Sequence, residues 1–132
     1  MGIALPVTLA SAAAAGILAI WLMIRVGQVR LSEKVSIGDG GNEKVTRRMR
    51  AHANYVESAP FVLVLIGVIE LSNAGGGWLK WVAIAYFIGR IAHGLGMDGT
   101  TFAKGRSVGI TITMLVLLGL SVVAALVAAG VM

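Results

Sequence analysis

Three polar side chains, Arg50, Asn54 and Glu57, interrupt a segment that otherwise has the composition of a membrane helix. Their spacing, i, i+4 and i+7, puts them on one helical face. Further along, Arg90 and His93 share a face of a second apolar segment, and Arg106 and Ser107 stand at the head of a third. Charges inside a bilayer are costly, so such residues face a bundle interior or a wet cavity. Glu57 can neutralise one of Arg50, Arg90 and Arg106, and Glu70 lies at the far end of its segment. A surplus of cation calls for an anionic guest. Guanidinium forks that grip a carboxylate through two bonds suit a small polyanion. Two plainer readings stay open. Glu57 pairs with Arg50 or Arg90 only to hold helices together, and His93 is either a helix-to-helix hydrogen bonder or a ligand contact.

The elements that must position these residues are helices. The chain has 132 residues, 58% of them hydrophobic, and a mean hydropathy of +0.90. That is far more apolar than a soluble domain and leaves no room for a second one, so residues 1–132 read as a single integral membrane domain. The first span is expected over Ile3–Ile24 and the last over Ser107–Met132, both uncharged. The middle two reach spanning length only if polar residues are included. One extends back to Arg48, and the other, Trp78–Met97, contains Arg90 and His93. Pro60 is expected to kink the second helix. Polar connections follow at 25–47, with a Gly38–Asn42 turn cluster, at 73–77 and at 98–105. The N-terminal apolar run lacks a basic leader and is too long for a signal peptide, so it reads as a permanent first helix.

No cysteine is present, which excludes disulfides, thiolate metal sites and a cysteine nucleophile. Two histidines are too few for a histidine-only metal site, and no metal is expected. Seven of the eleven Lys and Arg residues fall between Arg25 and Arg50, and Lys104 and Arg106 lie near the third loop. The positive-inside rule then makes loops 1 and 3 cytoplasmic and both termini non-cytoplasmic. That orientation gathers Arg30, Arg50, Asn54, Glu57, Arg90, His93, Arg106 and Ser107 toward the cytoplasmic side. Lys44, Arg47 and Arg48 read as headgroup contacts or topology determinants. Glu70 reads as structural, near the opposite interface.

These residues carry a resemblance. The segment RAHANYVESAP, Arg50–Pro60, resembles the R-A-H-x-N-x-x-E-x-x-P signature of the MAPEG family, membrane-associated proteins in eicosanoid and glutathione metabolism. GQVRL (Gly27–Leu31), GRIAH (Gly89–His93) and RSV (Arg106–Val108) resemble the family's first-, third- and fourth-helix motifs, in order and at family spacing. The short first loop looks like that of the small bacterial inner-membrane branch. The resemblance implies a four-transmembrane-helix bundle assembled as a homotrimer, with glutathione as co-substrate between subunits. It implies glutathione contacts at Arg30, Arg50, Asn54, Glu57, His93 and Ser107, beside Arg90, and thiol activation by Arg106. The implied activity is that of a glutathione-dependent transferase or peroxidase acting on lipophilic electrophiles or lipid hydroperoxides. Met97 and Ile110 stand where some members carry tyrosines, and Ala53 replaces an arginine found in others. The rival reading is a non-enzymatic protein that holds an anionic lipid in the same pocket. A transporter is disfavoured, because the chain has no evident inverted repeat of broken helices.

Overall fold

A computed structural model of the chain describes residues 2–99 and 102–132. Four helices account for most of it: α1 Pro6–Glu33, α2 Glu43–Leu71, α3 Trp78–Gly96 and α4 Lys104–Ala128. No strand occurs among the described residues. Three helices, α1, α2 and α4, are each long and apolar enough to cross a bilayer. The fourth, α3, has 19 residues, about 28 Å at 1.5 Å per residue. Lys80, Arg90 and His93 dilute its apolar run, and the bundle buries Arg90 and His93. The architecture is the expected all-α four-helix membrane bundle.

Two helices run further than expected. α1 continues past Ile24 to Glu33 because nothing breaks it there. Val29 is still buried, and Arg25 is tied to Asp98. It stops at Lys34, whose left-handed φ of 57° lets its N–H close on the Arg30 carbonyl. α2 begins at Glu43 rather than Arg48, because Asn42 Oδ1 accepts the Val45 N–H at 3.1 Å and Glu43 sits favourably in the first turn. Leaving the bilayer does not end a helix; a cap does. Pro60 lies within α2, which runs on past it to Leu71. The third connection includes positions 100 and 101, which fall outside the described residues.

At the end away from loops 1 and 3, Glu70 of α2 caps α1. Its carboxylate accepts the Val7 and Thr8 amides at 2.8 and 2.7 Å and the Thr8 hydroxyl at 2.6 Å. Pro6 occupies the first turn, where its missing N–H costs nothing. Glu70 is therefore structural, as expected.

α1 packs chiefly on α2, and α3 on α4. One apolar cluster joins Val62, Ile66 and Ile69 of α2 to Leu79, Ala83 and Tyr86 of α3 and Val116 and Leu120 of α4. A second, nearer loop 1, joins Leu18 and Leu22 to Ala51, Tyr55 and Ala59. The α3–α4 contact is close enough to forbid side chains. A Cβ on Gly109 would meet the Gly89 carbonyl oxygen and the His93 Cβ, and one on Gly105 would meet the Ala92 carbonyl oxygen. A Cβ on Gly96 would meet the Arg106 amide. Glycines at these places let the α3 and α4 backbones touch, and this draws Arg106 up beside His93.

Candidate functional site

At the end formed by loops 1 and 3, a cavity of about 340 Å³ is lined by Arg50, Asn54, His93, Met97, Arg106 and Ile110. Each lining residue has a positional reason. Arg50 and Asn54 are one turn apart on α2. His93 and Met97 end α3, and Arg106 and Ile110 open α4 one turn apart. The glycine contact described above brings the last two pairs together. Among the described residues the lining holds two guanidinium groups, a carboxamide and an imidazole, with no carboxylate. Such a lining can receive an anion with apolar parts. Arg50 and Arg106 are exposed, so the cavity opens outward from the single chain.

Four of the sequence-derived site residues, Arg50, Asn54, His93 and Arg106, thus meet at one cavity. Arg90 lies behind it, 1% exposed in the bundle core. Its Nη1 donates to Thr113 Oγ1 at 3.2 Å, and its Nη2 lies 3.4 Å from His93 Nδ1. The guanidinium also stands over the Tyr55 ring, 6.0 Å from the centroid. Its Nε is buried with no partner among the described residues. Arg30 points elsewhere: Nη1 donates to the Gly38 carbonyl at 2.6 Å and so holds loop 1, while Nη2 reaches Met49 Sδ at 3.5 Å. Glu57 and Ser107 are exposed on the single chain and do not line the cavity. Among the described residues Glu57 makes no ion pair, so the pairing with Arg50 or Arg90 considered from sequence is not formed within one chain. Met97 and Ile110, the two positions that depart from tyrosine, both line the cavity and give it an apolar wall.

Arg48 makes contacts within the fold. Its Nε donates to Asp98 at 3.2 Å and its Nη1 to the Arg25 carbonyl at 2.9 Å, while Arg25 bonds the other Asp98 oxygen. This clasp ties α1 and α2 to Asp98, two residues past the end of α3. Lys44 pairs with Glu33 and Arg47 with Glu43. Sequence reasoning singled out neither Asp98 nor Thr113. A carboxylate just past an arginine-bearing helix was a visible signal for Asp98. Thr113 gave no more than a lone hydroxyl in an apolar helix.

A family model described as the MAPEG family matches residues 8–126. Over 82 residues the chain is 32% identical to the inner membrane protein YecN of Escherichia coli strain K12, which covers 62% of this chain and 63% of that protein. YecN of Escherichia coli O6:H1 strain CFT073 matches with the same identity and coverage. The matched stretch therefore spans just under two thirds of these relatives.

Proposed function

We propose that this chain, which belongs to the MAPEG family, binds glutathione in the Arg50–Asn54–His93–Arg106 cavity and activates its thiol. The observation that carries this reading is a cavity with two arginines and no carboxylate in its lining. Glutathione brings two carboxylates and an ammonium group. Arg50 is suited to a carboxylate and Asn54 to the peptide bonds. Arg106 is suited to the sulfur, where a guanidinium favours thiolate over thiol in a poorly hydrated site. The thiolate then forms a carbon–sulfur bond with a lipophilic electrophile, and the leaving group departs with its electron pair. With a lipid hydroperoxide the sulfur attacks the terminal oxygen and the O–O bond breaks. The alkoxide takes a proton to become the alcohol, and the glutathione sulfenic acid condenses with a second thiol to give disulfide and water. Met97 and Ile110 supply no hydroxyl, so sulfur stabilisation falls on Arg106 and the His93 imidazole.

The site reads as one half of a shared one. The exposed face of α2 carries Arg50, Glu57, Phe61, Val64, Val68 and Leu71 at alternating spacings of seven, four and three. That is the seam of a helix that packs on another. Glu57 lies seven residues from Arg50, about 10 Å further along the axis, where an unpaired carboxylate is costly. A neighbouring copy can supply an arginine to Glu57 and close the open side of the cavity, consistent with the homotrimer implied by the resemblance. We place the protein in the inner membrane, as for YecN. The basic loops 1 and 3 are then cytoplasmic, where glutathione is available.

The test is thiolate difference absorbance on adding glutathione to the intact protein in detergent. A rise that Arg106→Ala abolishes supports the reading; no rise at saturating glutathione refutes thiol activation. The competing occupant is an anionic lipid headgroup in the same cavity. It predicts co-purified anionic lipid and no calorimetric signal with glutathione.

A further inference from the structure

Among the described residues Arg90 is the largest fully buried side chain, and it pairs with no carboxylate there. The groups around it are Thr113 of α4, Tyr55 of α2 and His93 one turn along α3. The cations nearest the imidazole otherwise are Arg50 and Arg106, which share its cavity. A guanidinium has five donors and no acceptor. The contact of 3.4 Å between Arg90 Nη2 and His93 Nδ1 can therefore be a hydrogen bond in one sense only, with Nδ1 accepting. A neutral imidazole that accepts at Nδ1 carries its proton at Nε2. Among the described residues Nε2 has no hydrogen-bond partner, and the ring lines the cavity. Thr113 Oγ1 is set in the same way. Its hydroxyl donates to the Gly109 carbonyl at 2.8 Å, which leaves its lone pair to accept from Arg90.

We infer that Arg90 is a positioning residue that locks His93 in the Nε2–H tautomer, making it a fixed, neutral hydrogen-bond donor to the anionic ligand in the cavity. Its consequence for glutathione rests on the function proposed above; the tautomer itself does not. Arg90 touches no ligand. It acts through the ring, and it converts a group able to donate or accept at either nitrogen into a single-purpose donor. The chain of constraint runs from the Gly109 carbonyl through Thr113 and Arg90 to His93, so the α3–α4 crossing sets both the position and the proton of the imidazole. With Met97 and Ile110 in the wall, this N–H is the neutral donor available at the α3–α4 side of the cavity.

The experiment is nitrogen-15 NMR of the intact protein labelled at its histidine rings, in detergent at neutral pH. His52→Gln identifies the His93 signals, since the chain has two histidines. The expected spectrum shows a proton on Nε2 and an unprotonated Nδ1. A proton on Nδ1 overturns the inference. Arg90→Met is expected to give mixed tautomers, and Arg90→Lys, also a pure donor, to restore the single form. Should Arg90→Met fail to fold, the wild-type spectrum still decides the tautomer, and Thr113→Val, which frees Arg90 from its anchor, tests the positioning role by the same mixed-tautomer signature. On adding glutathione to protein shown calorimetrically to bind it, the Nε2 proton is expected to shift while Nδ1 stays unprotonated. An unmoved Nε2 proton in the bound protein overturns the donor role. Affinity in Arg90→Met is expected to fall about twofold, the factor for a ring that is in the donor tautomer about half the time. If glutathione does not bind at all, the function reading fails while the tautomer result stands.

Discussion

Gly109→Ala tests whether the α3–α4 backbone contact builds the site. The new methyl would lie against the Gly89 carbonyl oxygen, 2.5 Å from His93 Cβ and 2.9 Å from His93 Cα. Carbon atoms in contact sit about 3.5–4.0 Å apart, so the helices must part by about 1 Å. None of the obstructing atoms is the far end of a flexible side chain, so no rotamer change absorbs the overlap. Overpacking of this kind costs about 1–3 kcal/mol. The better helix propensity of alanine returns up to about 1 kcal/mol. The larger effect is on function, because His93 and Arg106 lie on opposite sides of the parted contact. A displacement of about 1 Å can cost around a hundredfold in rate. The assay pairs thermal unfolding in detergent with glutathione-dependent thiolate absorbance. Gly119→Ala is the control, since a Cβ there meets nothing within 4 Å in the single chain. The expected result is a less stable Gly109→Ala protein that has lost the thiolate signal, beside a normal control. A Gly109→Ala protein with unchanged stability and signal would refute the claim that this contact positions the site.

Glu70→Ala removes the acceptor of three bonds at the head of α1. A lost cap of this type costs about 1 kcal/mol, and hydrogen exchange should speed at Val7 and Thr8 while the rest of α1 stays protected. Asp98→Asn weakens a largely buried clasp to two arginines. A loss of about 1–2 kcal/mol in detergent unfolding is expected, with Arg106 less well placed and the thiolate signal reduced. Glu57→Gln should leave the single-chain fold intact, since its carboxylate has no partner there among the described residues, and weaken self-association as read by native mass spectrometry. An unchanged oligomer would remove Glu57 from any subunit contact.

The fold was legible because its signals are additive along the chain. Apolar stretches name the helices, and the lysine and arginine asymmetry pairs loop 1 with loop 3. The helix ends were less so. The Lys34 turn and the Asn42 cap lie in polar sequence, where hydropathy falls before the helix does. The cavity was legible in part for a similar reason. Arg50 and Asn54 are fixed relative to each other by helical period alone, and Arg106 begins the helix that follows His93. Depth across the bundle was not legible. Sequence places Arg90 and His93 on one face but does not say that the first is sealed in the core and the second at a cavity wall. The glycines of α3 and α4 decide that, and an apolar helix rich in glycine reads the same whether its glycines meet a neighbour or lipid. The loop geometry that offers Arg30 the Gly38 carbonyl was not legible either.

The distribution of carboxylates gives the strongest reason to expect an anion in the cavity. Of the six acidic residues, five are committed. Glu33 holds Lys44 and Asn42, Glu43 holds Arg47, and Asp98 holds Arg25 and Arg48. Asp39 accepts the Gly41 amide in its own turn, and Glu70 caps α1. Arg30 is satisfied by loop carbonyls. Arg50, Arg90 and Arg106 therefore remain with no acidic partner among the described residues. They stand in and directly behind one cavity. Glu57, the sixth carboxylate, does not line it. Headgroup attraction explains basic residues at an interface, but it does not explain Arg90, which is 1% exposed. A buried cation without a carboxylate is tolerated when polar groups take up its donors, and here one of those groups is the imidazole that faces the cavity. The charge of Arg90 is thereby coupled to whatever sits against His93. An anion there would satisfy Arg50 and Arg106 directly and ease the burial of Arg90 at second hand. Anion binding should thus raise the unfolding temperature of the wild-type protein more than that of Arg90→Met.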